Sequence, residues 1–243
     1  MGSEAAETVR VEVAVAKVPR WATPESGDTL EMIERPRGGF SFVLVDGQHT
    51  GRAAKAVSHL VARKAIAELA EGVRDGAAAR AAHDALYTSK GGRVSATLNI
   101  VSVDLTTRTL VLSRNNPLPT LLVDPEGVVR LLDEPSQPVG IYPRTRPVIT
   151  EVPLQPGLVV VVYTDGLALA GEHRGGPMDL PAVVGELVSH GLDARQMADE
   201  LMARALALEE GRPRDDISVL VLRVTEGDED LARRLYVQIP LGV

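Results

Sequence analysis

An α+β layered fold is predicted by two kinds of run and by their order. Some runs are continuously apolar or apolar at period two, and others are apolar at three- and four-residue steps. They follow one another as strands, helices, strands, helices, strand, which is not the strict alternation of a parallel sheet. Short turns between consecutive strands favour antiparallel pairing.

Residues 9–18 place Val9, Val11, Val13 and Val15 at period two and predict a half-buried strand. Residues 29–34 and 40–45, joined by the turn-rich ERPRGG, predict a hairpin. From Arg52 the apolar residues Ala53, Ala56, Val57, Leu60, Val61, Ile66 and Leu69 take helical spacing, with Gly72 as the stop. An alanine-rich helix follows at about 75–87. Five strand-like segments come next: VSATLNIVSVD, TRTLVLS, PTLLVD, GVVRLL and, after a proline-rich loop, GLVVVVYTD. Helices are predicted near 178–190 and 193–209, and a last strand at Ile217–Val224. The tail GDEDLARRLYVQIPLGV is apolar enough to dock on the body of the protein, and Trp21 and Tyr236 are expected as packing residues.

The 243 residues can bury a sizeable core, and with no linker, repeat or composition break they are expected to form one domain, residues 1–243. A net charge of -7 without a Lys/Arg cluster argues against nucleic acid as the main partner. The absence of cysteine excludes disulfides, thiolate metal sites and a cysteine nucleophile, and fits a reducing, cytoplasmic setting. The start MGSEAAETVRVEV lacks the pattern of a signal peptide, and the longest apolar run, Leu158–Tyr163, is far short of the ~20 residues that span a bilayer, so no membrane role is expected.

Three strands meet acidic residues in a similar way. FVLVDG ends at Asp46-Gly47, VVVVYTDG ends at Asp165-Gly166, and Asp215-Asp216 directly precedes ISVLVLRV. Asp28 immediately precedes the first hairpin strand. Any one Asp-Gly is an ordinary turn signal. Brought to one edge of a fold, however, these carboxylates could not all stay ionised without a cation. Oxygen donors of this kind suit Mg²⁺ or Mn²⁺ better than zinc. A glycine after the carboxylate allows a sharp turn and close approach of its carbonyl to an ion.

DGQHTG, YTDG and RPRDDISVLVL, in this order and spacing, resemble the metal-binding motifs of the type 2C metal-dependent protein phosphatases, in their bacterial SpoIIE-like branch. The resemblance runs from about Ser26 to Val224 and includes SGD, SATLNIVSVD with TRTLVLS, and LLDEPSQPVGIY. It implies a four-layer αββα sandwich of two antiparallel sheets flanked by helices, with two Mn²⁺ or Mg²⁺ ions at one end. Asp46 would bridge the ions, the Gly47 carbonyl would bind one, and Asp165 and Asp215 would complete the other. Asp28 would bind an ion directly or through water, and Asp216, often Asn in the wider family, would support the site. The implied activity is hydrolysis of phosphoserine or phosphothreonine by a metal-activated hydroxide, in bacterial signalling. The implied partner is a phosphorylated protein such as an anti-sigma-factor antagonist, and the chain resembles members without a sensor domain.

The chain departs from the family at several places. Gln48 stands where many relatives outside the branch have histidine, which leaves His49, one residue later, as the candidate general acid. SRNNPLPTLLV replaces a segment closer to Asn-Ala-Gly-His-Pro, with Pro117 in the place of the histidine. Gly51 is expected to permit close packing at the following helix, and Arg212 and Arg214 are secondary candidates for substrate contact. Two other functions suit the same residues: a catalytically weak module that binds a regulatory phosphoprotein, and a phosphohydrolase of small molecules.

Overall fold

The computed structural model describes residues 8–228 and 230–240. The start of the chain, Met1–Glu7, where the absence of a signal peptide was read, lies outside them. Ten strands form two antiparallel five-stranded sheets. One has the order β1 (Val9–Val18), β10 (Ile217–Glu226), β9 (Val159–Tyr163), β6 (Thr120–Val123), β7 (Val129–Leu132). The other has the order β2 (Thr29–Glu34), β3 (Phe40–Gly47), β4 (Ala96–Asp104), β5 (Thr109–Asn115), β8 (Val148–Pro153). Helices α1 (Gly51–Ala70) and α2 (Asp75–Lys90) cover the second sheet. The short α3 (Asp165–Ala168), α4 (Leu180–Ser189) and α5 (Ala194–Leu208) cover the first.

Alternation of side chains along the strands builds the layers. In β9, Val159, Val161 and Tyr163 pack with α4 and α5, while Val160 and Val162 join the core between the sheets. In β3, Val43 and Val45 pack under α1 and α2, while Leu44 faces the other sheet. Both strands are thus buried on two faces, which is why they read as unbroken apolar runs. The result is the expected four-layer αββα sandwich.

Several elements differ from expectation. β8 forms inside the segment read as a proline-rich loop, and pairs with β5. Its Val148, Thr150 and Val152 are half-buried while Ile149 and Glu151 are exposed, a period-two pattern shortened to six residues between prolines. The buried face of α1 carries Ala54, Val57, Ser58, Val61, Ala62, Ala65 and Leu69, so Ala53 and Ala56 are outside. Trp21 and Tyr236 are exposed at 58% and 82% rather than packed. Residues 230–240 form neither helix nor strand, and Leu235, Val237 and Ile239 are exposed, so this tail does not bury its apolar side chains. Arg233 holds it to the β2–β3 hairpin by an ion pair with Glu34 and by stacking over Phe40.

Two glycines set the spacing at the end of the sandwich where the aspartates lie. A Cβ on Gly47 would sit 2.3 Å from the Ala54 carbonyl oxygen of α1, and one on Gly166 would sit 2.1 Å from the Asp216 carbonyl oxygen. Neither glycine makes the hairpin turn that Asp-Gly suggests. Gly51, in contrast, has φ of 57° and meets only the Thr23 methyl at 3.5 Å, so it serves backbone conformation rather than close packing. Replacing Gly166 with Ala should lower the unfolding free energy by about 1–3 kcal/mol, the usual cost of overpacking. A urea midpoint equal to that of the parent protein would show that the contact is not a constraint.

Candidate metal centre

The strand registers bring the predicted aspartates to one end of the sandwich. The β2–β3 ladder closes with Thr29 opposite Val45, and one step further lie Asp28 and Asp46. Asp46 is paired in turn with Thr97 of β4. Continuing the alternation from Leu44 carries Asp46 toward the space between the sheets. In the opposite sheet Tyr163 pairs with Val219, and the Thr164 amide donates to the Ser218 carbonyl just beyond them. Asp165 follows at the first position of α3, and Asp215 and Asp216 lead into β10.

Asp28 joins the two sheets. Its carboxylate, 1% exposed, accepts from the Ser218 hydroxyl at 2.6 Å and the Thr164 hydroxyl at 3.1 Å. Its backbone carbonyl accepts from the ammonium groups of Lys17 and Lys55. Asp216 is also buried, and its two carboxylate oxygens accept from the amides of Arg20 at 2.9 Å and Gly27 at 2.7 Å. It therefore fastens the loop that carries Asp28 to the start of β10. The Ser58 hydroxyl of α1 donates to the Gly27 carbonyl, and a Cβ on Gly27 would lie 2.5 Å from that of Ala54, so α1 packs on the same loop. Asp46 and Asp165 are half-buried and Asp215 is exposed at the rim.

His49 lies in the turn between β3 and α1, exposed, with φ of 88°. A left-handed histidine is uncommon and is held by its surroundings. Gln48, in the place of the family's histidine, pins that turn: its amide donates to the Ser95 carbonyl at 3.0 Å and its side-chain oxygen accepts from the Ser95 amide at 2.9 Å. Arg212 stacks over Trp21 at 5.4 Å, away from a clamp role, whereas Arg214 lines a pocket with Asp165 and Asp215.

The profile of the stage II sporulation protein E (SpoIIE) family matches residues 36–225. The chain belongs to the SpoIIE family. The match begins after Asp28, which the expected extent from Ser26 had included. No curated protein sequence matches this SpoIIE-family chain significantly. Among solved structures it is similar to the PP2C phosphatase domain with a regulatory fragment of SpoIIE from Bacillus subtilis, at 20% identity, TM-score 0.75, over 92% of this chain and 65% of that one. It is also similar to the RsbU and RsbW domains of a Mycobacterium tuberculosis protein, at 20% identity, TM-score 0.71, over 91% of this chain and 62% of that one. A third is the catalytic domain of the serine/threonine phosphatase PstP in complex with two manganese ions, at 18% identity, TM-score 0.67, over 90% of this chain and 100% of that one. The chain thus spans slightly less than two thirds of the first two structures, and its fold is the PP2C sandwich.

The carboxylates of this SpoIIE-family chain act on one another. Burial, followed by the charges of Asp28, Asp165, Asp215 and Asp216, pushes the Asp46 carboxyl up to about 9. Burial and the neighbouring Asp216 raise Asp28 to about 7, against the hydrogen bonds from Ser218 and Thr164. Asp165 is raised by burial and by Asp215, and Asp215 by burial and by Asp216. Burial and the neighbouring Lys55 lower Lys17 to about 8. Such mutual repulsion is what a divalent ion relieves. Among the described residues no three His, Asp or Glu side chains form a group able to hold an ion unaided. The chemistry of the donors, carboxylates with the Gly47 carbonyl and water, is that of Mg²⁺ and Mn²⁺, while the three carboxylates expected around one ion are not gathered into one group.

Sequence reasoning missed four residues here: Lys17, Lys55, Thr164 and Ser218. The last two stand in the quoted motifs, Thr164 one step before Asp165 and Ser218 two steps after Asp216, on the alternating face that looks across the sandwich. Nothing local marks the lysines, which reach the site from a strand end and a helix.

A proton linkage follows. The folded-state values of Asp46 and Asp28 lie above the ordinary carboxylate value, so the metal-free protein holds protons that the unfolded chain has released. Their contribution to stability is present below about pH 4 and is lost as pH rises toward about 9. Mn²⁺ should reverse the trend and release protons on binding near pH 7. Calorimetric titration in two buffers of different ionisation enthalpy should give different apparent heats; equal heats would contradict the linkage.

Proposed function

We propose that this SpoIIE-family chain is a metal-dependent serine/threonine protein phosphatase that uses two Mn²⁺ or Mg²⁺ ions. The observation that carries the reading is Asp46, a half-buried carboxyl at a strand end with four other aspartates acting on it electrostatically. Asp46, the Gly47 carbonyl, Asp165 and Asp215 would hold the ions, with Asp28 binding directly or through water. When bound, such ions activate water toward phosphorus and neutralise charge on the phosphoryl oxygens.

The chain's own residues provide rigidity and charge. Asp28 is fixed by Ser218 and Thr164 across the sandwich, and Asp216 fixes the loop that carries Asp28. Lys17 and Lys55 bring two ammonium groups to the same loop, which offsets part of the acidic field that a dianionic phosphoserine would meet. His49, exposed in the turn that follows Asp46 and Gly47, is the candidate proton donor to the leaving oxygen.

The phosphorylated partner is read as a protein in bacterial signalling, such as an anti-sigma-factor antagonist, and the setting as the cytoplasm. The family's cell-fate determinant from Bacillus subtilis and the RsbU-containing neighbour support this reading. Among the described residues no helix is long and apolar enough to cross a membrane. We read residues 1–243 as one phosphatase domain.

Hydrolysis of p-nitrophenyl phosphate and of a phosphoserine protein should require Mn²⁺ or Mg²⁺. Asp46→Asn should abolish it while leaving the circular dichroism spectrum intact. Asp216→Asn, which leaves only one charge-free acceptor for two backbone amides, should weaken metal affinity by about 10–100-fold, as is typical of residues that orient ligands. Full activity of Asp46→Asn, or turnover without metal, would sink the assignment.

A further inference from the structure

The arginines of RPRDD and the single tryptophan of the chain have no part in the proposed chemistry, yet the fold brings them to one rim of the candidate metal centre. Two hydrogen bonds join them: the Trp21 amide donates to the Pro213 carbonyl at 2.8 Å, and the Arg20 amide donates to Asp216 Oδ1 at 2.9 Å. The turn Arg20–Thr23 closes with the Thr23 amide on the Arg20 carbonyl at 3.1 Å, and the Thr23 methyl lies 3.5 Å from where a Cβ on Gly51 would be. This turn therefore lies between the approach to β10, where Asp215 stands, and the start of α1, just after His49.

Trp21 is 58% exposed, and the Arg212 guanidinium lies over its ring. Both are carried on backbone that is pinned on either side, so the pair is presented to solvent with little left to order on binding. Arg20 and Arg214 are exposed beside it. Among the described residues, none of Arg20, Arg212 and Arg214 forms an ion pair with a carboxylate. The neighbouring acids are otherwise engaged: Glu209 is buried and accepts from the Gly171 amide, Glu210 pairs with Arg174, and Asp215 is a candidate ligand of an ion. Glu25 is the one exposed carboxylate of the segment 20–28. Three guanidinium groups thus face outward together on a chain whose net charge is -7.

We propose that this rim, Trp21 with Arg20, Arg212 and Arg214, docks an acidic segment of the phosphoprotein substrate that flanks the phosphorylated residue. Carboxylates of the segment pair with the guanidinium forks, and Trp21 contributes apolar area among them. Tryptophan and arginine are the residue types that most often carry the energy of an interface. An anionic lipid surface attracts the same types, but it needs a wider apolar face than one tryptophan among arginines offers. The place of the rim, next to Asp215, favours a segment that arrives with the phosphoryl group. The inference rests on the phosphatase reading and adds to it a preference among substrates.

Because Trp21 is the only tryptophan, its fluorescence reports on the rim directly. With the full 243-residue chain loaded with Mg²⁺, unphosphorylated serine peptides flanked by Asp and Glu should shift that fluorescence saturably, whereas peptides flanked by Asn and Gln should not. Raising the salt from about 0.05 to about 0.5 M should remove most of the shift. With Mn²⁺, the phosphoserine peptide with acidic flanks should have a kcat/KM about fivefold to tenfold above that of the neutral one, chiefly through KM, as a few exposed ion pairs give. Arg20→Gln combined with Arg212→Gln changes two exposed residues and should bring that ratio close to one. If the acidic peptide leaves the fluorescence unchanged, or if parent and double variant discriminate alike, the inference is overturned. A shift with phosphatidylserine vesicles and none with the acidic peptide would make the rim a membrane contact and overturn it as well. If the acidic peptide binds but neither its phosphorylated form nor p-nitrophenyl phosphate is hydrolysed with Mn²⁺, the phosphatase reading falls while the acidic docking surface stands.

Discussion

Repulsion among carboxylates at the junction of two β-sheets is the constraint from which the rest of this structure follows. Asp28 and Asp46 come from one sheet, and Asp165, Asp215 and Asp216 from the segments that frame the other. Burial and close neighbours penalise the charge of Asp28, Asp46, Asp165 and Asp215, and the Asp46 carboxyl is pushed up to about 9. Keeping them together without an ion requires a scaffold that cannot spread. The apolar core between the sheets, with Leu44, Leu112, Val160 and Leu222 among its members, supplies that resistance. Polar ties then fix individual positions: Ser218 and Thr164 on Asp28, and the amides of Arg20 and Gly27 on Asp216.

Much of this could be read from the sequence because it is written in local patterns. Buried strands announce themselves as apolar runs, and the residue at which each run stops is the first one that leaves the core, so Asp46 and Asp165 were visible as strand ends. The order and spacing of the motifs added the family, and with it the two-sheet sandwich. β8 escaped because only three of its six residues are half-buried and prolines flank it, which makes an edge strand look like a loop. The buried face of α1 was misphased because alanine carries little periodic signal. What decides that face is contact: Ala54 meets Gly47 and, from another part of the chain, Gly27, a partner that no short window around the helix contains.

The glycines show the same limit from another side. Asp-Gly is a turn signal in isolation, yet Gly47 and Gly166 are needed because a neighbouring carbonyl lies where a Cβ would be. Their effect on function is indirect. By letting α1 and the start of β10 approach, they set the spacing of the segments that carry Asp46, Asp165 and Asp216. Trp21 and Tyr236 mark a further limit: aromatic residues suggest packing by type, but Trp21 is exposed under Arg212, and Tyr236 belongs to a tail held by arginine contacts nearer its start.

Charge is distributed unevenly around the centre, and the asymmetry gives the site a direction. On the Asp28 side two ammonium groups, from Lys17 and Lys55, converge on one carbonyl. On the Asp165 side Glu172 and Glu209 line the adjoining pocket. The lysines act on a backbone carbonyl and so hold the Asp28 loop, whereas the acidic residues of the pocket stand on the segments around Asp165 and Asp215, so the charges that fix the scaffold and those that border the carboxylates come from different elements.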